Sequence, residues 1–202
     1  MILELIILII PLVISAVLGK KPLKAEFKEI GFVRDSKSIL NSFLKIIIGI
    51  DLGIFLYLFA GLLLFLYRDI LITILLGIQF VEEGISNRII TEPIKPNLLE
   101  ITLLIIIQVL VTSPSEEGFF RGFFIQKLKR KLKLIYAVLI SSTFFTIYHL
   151  PPFLVPVQTI IAYFGYYFLL GFLLGLIFIY SNRSLMVCII AHSVFNILIL
   201  VI

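Results

Sequence analysis

Charged side chains are scarce in this chain. Asp, Glu, Lys and Arg make up 14% of its 202 residues, and from Leu134 to Ile202 the only one is Arg183. A soluble domain carries about 25% charged residues, so a soluble fold is excluded. A hydrophobic content of 61% and a mean hydropathy of +1.19 place the chain among integral membrane proteins. Cysteine occurs once, as Cys188, which excludes an intramolecular disulfide; within its apolar run it reads as a small buried side chain. No internal repeat or low-complexity tract is visible, which weighs against a small transporter built from inverted repeats. Lys and Arg are missing ahead of the first apolar run, Met1 to Leu18, which carries Glu4 instead. A secretory signal has a basic leading region, so a retained first span is expected. The composition describes one integral membrane domain over residues 1–202, multi-pass and in the cell membrane.

The net charge of +5 and the pI of 9.3 do not indicate nucleic acid. The basic residues occupy short connectors between apolar spans, where they set topology and meet anionic lipid headgroups. The bilayer is therefore the first expected partner, with no nucleic acid. A membrane-crossing helix needs about 20 mostly apolar residues. Six segments approach or meet that: about 2–18, 40–66, 98–113, 134–150, 157–180 and 184–202. The fold expected is all-α, a polytopic transmembrane helix bundle of six spans. Ile70–Phe80, read as re-entrant or interfacial, and Glu116–Lys127, read as a separate helix, would bring the total to as many as eight helices. Lys20, Lys21, Lys24, Lys28, Arg34 and Lys37 follow the first span; Lys127, Lys129, Arg130, Lys131 and Lys133 precede the fourth. The connector at 67–97 sets Arg68, Arg88 and Lys95 against Asp69, Glu82, Glu83 and Glu92. With six spans and both basic clusters cytoplasmic, both termini fall outside. The pairs Gly49/Gly53, Gly118/Gly122 and Gly171/Gly175 each put two glycines on one helix face, a helix-packing signal without function.

Against this background the run from Ser113 to Gly122, SPSEEGFFRG, stands out. It sets two carboxylates and a guanidinium just after an apolar segment, where a charge costs at least about 2.5–3.5 kcal/mol. In a helix, Glu117 and Arg121 share a face one turn apart and neutralise each other, while Glu116 points elsewhere. Pro114 suits a helix start with Ser113 as N-cap, which would put both glutamates in the first turn. A well-capped interfacial helix with surface charges is the plain alternative. Only two histidines occur, His149 and His192, both in apolar segments. His149 follows Phe145 by four residues and precedes Pro151-Pro152, so it also reads as an interfacial anchor. His192 lies deep in its segment with Asn196 one turn on; the two must satisfy each other or face a polar interior. Lys45 and Asp51, in the second span, flank a water-filled cavity or snorkel.

Taken together, Glu116-Glu117-Gly118-Phe119-Phe120-Arg121, Phe145-Thr146-Ile147-Tyr148-His149 and His192-Ser193-Val194-Phe195-Asn196 resemble the CPBP family of intramembrane proteases. That family includes the type II CAAX prenyl endopeptidases and the bacteriocin-processing or Abi-type proteins. The resemblance covers roughly residues 98–202, a catalytic core, and Gly122 also fits it. It implies hydrolysis of a peptide bond in a lipidated or other membrane-associated peptide or protein. Glu116 with His149 would activate water; His192 and Asn196 would stabilise the oxyanion or, on another view, contribute to metal binding. Glu117, Arg121 and Phe145 would support the site. A carboxylate and imidazole suit the first task and neutral imidazole and amide donors the second. No cofactor is expected, since H-E-x-x-H is absent; the zinc alternative would use Glu116, His149 and His192 with one open position. Serine (G-x-S-G) and aspartyl (G-x-G-D) sites are absent too. A non-catalytic relative, such as an immunity factor or peptide-binding scaffold, is the second reading. One geometric demand follows. Helices rising straight from one plane would carry His149 about 24 Å from Lys133 and His192 about 12 Å from Ser184. A shared site needs residues 116, 149 and 192 within about 12 Å of one another, roughly eight residues of helix rise.

Overall fold

The computed structural model describes residues 2–20, 22–32, 39–88 and 97–202. Lys21, Arg34, Lys37, Glu92 and Lys95, which enter the orientation argument, lie outside them, as does the side chain of Glu4. Eight helices follow in order: α1 (Ile2–Leu18), α2 (Leu23–Glu29), α3 (Leu40–Leu76), α4 (Ile78–Ser86), α5 (Leu98–Leu128), α6 (Leu134–His149), α7 (Val157–Tyr180) and α8 (Leu185–Val201). The described residues contain no strand. The expected all-α architecture is present.

Six spans are not confirmed. Among the described residues three helices are long and apolar enough to cross a membrane, α3, α5 and α7; α1 and α2, bent by 115°, make a fourth if they form one span. Helix α6 has 16 residues and α8 has 17. At 1.5 Å per residue they rise only about 24–26 Å, short of a hydrocarbon layer about 30 Å thick. The orientation of the termini rested on six spans and does not carry over. Two boundaries also move. The stretch read as re-entrant at Ile70–Phe80 divides: its first part extends α3 through a π-helical turn at Phe65–Ile72. Gly77 then turns the chain with a φ of +89°, open to glycine and strained for a side chain, and α4 begins.

The second boundary lies around Pro114. No helix starts there, and Ser113 caps nothing; α5 runs unbroken from Leu98 to Leu128. A proline inside an α-helix lacks its N–H and presses on the carbonyl four residues back. Here a π-helical turn over Gln108–Thr112 directly precedes Ser113–Glu117, and a second follows over Gly118–Ile125. The wider turn relaxes the bonding pattern where the proline enters. The start of α5 is instead the capping box of Asn97 and Glu100, each accepting the other's backbone N–H, at 3.0 and 2.8 Å.

Two apolar clusters hold the elements that position the site. Leu56 and Ala60 of α3 meet Leu170 and Leu174 of α7 and Ala191 and Phe195 of α8. Ile125, Ala137, Val138, Phe178, Leu185 and Cys188 join α5 to α8, with Cys188 a free, fully buried thiol as its apolar run indicates. Lys127 pairs with Glu26 at 3.1 Å and Arg130 pairs with Glu29, so the two basic connectors meet at one end of the bundle.

All three glycine pairs sit at close approaches between elements. At Gly53 a Cβ would lie 2.7 Å from the Ala191 carbonyl and 2.6 Å from Val194, whereas at Gly61 it would meet nothing within 4 Å. Gly53→Val should therefore cost about 1–3 kcal/mol through overpacking. Gly61→Ala should be neutral or gain up to about 1 kcal/mol from helix propensity. Thermal unfolding in detergent checks both, and equal effects at the two positions would contradict the packing described.

Candidate active site

The carboxylates of α5 face the interior. Glu116 is 4% exposed, Glu117 is fully buried and Arg121 is 1% exposed. Arg121 donates from Nη1 to Glu117 Oε1 at 3.0 Å and from Nη2 to the Gly171 carbonyl of α7 at 3.0 Å. Its guanidinium also lies 4.5 Å from the Phe145 ring centre, within cation–π range. The one-turn pair expected from the spacing is thus present, and it is buried. A surface-charged interfacial helix is excluded by that burial.

Both histidines reach the same carboxylate. His149 Nε2 is 3.6 Å and His192 Nε2 is 3.8 Å from Glu116 Oε2. These separations exceed a hydrogen bond, so the three groups face one another across a narrow gap. Each imidazole is held from behind. His149 Nδ1 lies 2.9 Å from the Phe145 carbonyl, and since a carbonyl only accepts, Nδ1 carries the proton there. His192 Nδ1 lies 2.7 Å from Glu117 Oε1, the same oxygen that receives Arg121. Whenever either ring is neutral, its Nε2 is then a lone pair turned toward Glu116. Phe145 fills the space between these groups, with its ring centre 4.2 Å from His149 and 6.1 Å from His192. Tyr167 of α7 stacks on His149 at 4.9 Å.

Packing removes the depth mismatch of straight helices. Leu185, at the start of α8, sits in one cluster with Ala137 and Val138, a turn into α6. From that shared level His192 lies roughly 10 Å on and His149 roughly 17 Å on, a difference that side chains span. Asn196 faces the polar interior, the second of the two arrangements its spacing allows. It lies on the His192 face of α8, and its amide donates to Gln108 Oε1 of α5 at 2.9 Å. Gln108, Tyr167 and the Gly171 carbonyl were not singled out from the sequence. For Gln108 the signal was available, an amide inside an apolar span one π turn before the glutamates.

Around this centre the hydroxyls of Ser113 and Ser193 and Glu117 Oε2 are buried without hydrogen-bond partners among the described residues. Each such group costs about 1–3 kcal/mol. All three lie on the two helices that bring Glu117 and His192 together. A zinc ion held by Glu116, His149 and His192 would fix the separations of its donors. A tetrahedral zinc with arms of about 2.0–2.2 Å separates its donors by about 3.3–3.6 Å. The 3.6 Å from Glu116 to His149 lies within that spacing, and the 3.8 Å from Glu116 to His192 lies 0.2 Å beyond it. Among the described residues, no group of three or more His, Cys, Asp or Glu side chains is arranged to hold a metal ion.

Fold and site together define a membrane helix bundle with a carboxylate set between two oriented imidazoles in its interior. The profile of the Rce1-like type II CAAX prenyl endopeptidases matches residues 98–198, half of the chain, and the protein belongs to that family of proteases. No curated protein and no solved structure matches it.

Removing one member of a buried ion pair leaves the other charge uncompensated, at about 3–5 kcal/mol. Arg121→Ala should lower stability by about that amount. Because Glu117 and Arg121 share the loss, the double change Glu117→Leu with Arg121→Met should cost less than the sum of the singles. Additive losses in a thermal double-mutant cycle would show that the pair is not coupled.

Proposed function

We propose that this protein is a multi-pass endopeptidase of the cell membrane. It hydrolyses a peptide bond near the C-terminus of a prenylated CAAX-type or other membrane-associated substrate. The observation that carries this reading is the convergence of Glu116 Oε2 and the two Nε2 atoms at 3.6 and 3.8 Å, within the half of the chain that matches a protease family. Glu116 and His149 both offer acceptors to one small volume. A water molecule there donates a hydrogen to each and keeps a lone pair for the scissile carbonyl. As it attacks, its proton passes to Glu116 or His149 and then to the leaving amine.

The oxyanion role in this reading depends on the protonation of His192. A neutral His192 that donates through Nδ1 to Glu117 has no hydrogen at Nε2. His192 therefore stabilises an oxyanion only as the doubly protonated ring, for which the Glu117 carboxylate is the counter-charge. Asn196 serves as the second donor by exchanging its bond to Gln108 for one to the developing oxyanion. The mechanism is metal-free in this reading, with both water-activating acceptors supplied by the protein.

Purified protein and a prenylated CAAX peptide test the reading. Glu116→Gln and His149→Ala should each lower kcat/KM by about 10²–10⁴. Asn196→Ala should lower kcat by about 10²–10³. Chelation should leave activity intact, and stoichiometric zinc by elemental analysis would overturn the metal-free route. Undiminished cleavage in both the Glu116→Gln and His149→Ala variants would remove the mechanism. Biological function retained by Glu116→Gln without cleavage would favour a peptide-binding scaffold.

A further inference from the structure

Away from the glutamates, a slot of about 520 Å³ runs between α3, α7 and α8. Its two ends differ in chemistry. Ile48, Leu52 and Phe55 of α3 face Leu173, Leu176 and Ile177 of α7 along an apolar trough. Because α3 and α7 run antiparallel here, the start of one meets the end of the other. That junction gathers the polar groups Asn41, Lys45, Tyr180, Ser181 and Asn182. The cluster of Leu56, Leu170, Leu174, Ala191 and Phe195 adjoins the trough's inner end. The slot opens sideways: Ile48 and Phe55 are about half exposed, and Tyr180 is 83% exposed at its mouth. In an apolar helix such sideways exposure faces lipid.

Lys45 is the one cation lining this slot, and it has no ion-pair partner among the described residues. A lysine four or five residues into an apolar helix carries its methylene stem along the trough and its ammonium at the rim. A neutral headgroup has no use for that charge, whereas a phosphate monoanion offset by no choline or ethanolamine cation does. Basic pockets between membrane helices hold anionic headgroups in this way, each basic residue contributing about 1 kcal/mol. The volume lies in the range of small-molecule sites, about 300–1,000 Å³. We propose that the slot is a binding site for a membrane phospholipid of net negative charge. One acyl chain lies along the trough, and the phosphate rests on Lys45 with Asn41 and Asn182 as hydrogen-bond donors. The proposal is independent of the peptidase reading, since none of these residues belongs to the Glu116 cluster.

The test is competitive retention, using the wild-type chain reconstituted in nanodiscs of equimolar phosphatidylglycerol and phosphatidylcholine. The chain is then extracted into detergent and analysed by native mass spectrometry and thermal unfolding. Phosphatidylglycerol should be retained about five- to tenfold over phosphatidylcholine and should raise the unfolding midpoint, as expected for a ligand of the folded state. Lys45→Gln should abolish the preference and Lys45→Arg should keep it. Leu176→Trp, which fills the trough, should lose both lipids. Equal retention of the two lipids by wild type, or an undiminished preference in Lys45→Gln, would overturn the proposal. So would protection by inorganic phosphate alone, which would reduce the slot to a free-anion site. A lipid-free dimer by mass would show that a second copy covers the face.

Discussion

The interior of this protein is organised by one oxygen atom. Glu117 Oε1 accepts both the Arg121 guanidinium and the His192 imidazole, at 3.0 and 2.7 Å, with all three side chains essentially out of solvent. A carboxylate alone at that depth would be costly, and the two donors offset the cost. Through them Glu117 ties α5 to α8, while the second arm of Arg121 ties α5 to the Gly171 carbonyl of α7. The same contacts set His192 in one tautomer and leave its second nitrogen facing Glu116. Adjacent glutamates thus take different work: one holds three helices in place, and the other stays beside both imidazoles.

That arrangement needs a helix that departs from regular α geometry. Both glutamates lie in the five-residue segment Ser113–Glu117, bracketed by π-helical turns. π turns re-aim side chains without ending a helix, and Pro114 would otherwise strain this one. Small residues on the surrounding helices do the complementary task. Gly171 lets Phe145 approach α7, and Phe145 in turn sits beneath His149 and against Arg121. The spacing of Phe145 and His149 is then a packing requirement as much as a chemical one.

Much of this was legible before any coordinates. The apolar composition, the helical class, the Glu117–Arg121 pair and the short list of polar residues inside apolar segments are local properties. A four-residue spacing places two side chains on one face whatever the rest of the chain does. Cys188 as a buried thiol is equally local. Where the reading failed, it failed at boundaries. Pro114 looked like a helix start because proline favours that position; a neighbouring π turn makes its interior position tolerable, and π turns leave no composition signal. Six apolar segments yield three or four candidate spans among the described residues, since α6 and α8 are apolar but only 16 and 17 residues long.

Partnership between helices belongs to the tertiary structure alone. Asn196 and His192 share a face, yet one bonds Gln108 and the other Glu117, because facing helices supply different acceptors at successive turns. Likewise the meeting of His149 with His192 depends on Leu185 packing a turn into α6, an offset between helices that no local spacing encodes. The sequence by itself determined the medium, the helices and which side chains carry chemistry, because each follows from residues close together in the chain. Which carboxylate faces which imidazole, and with which tautomer, was decided by contacts between residues 75 apart in the chain, as Glu117 and His192 are.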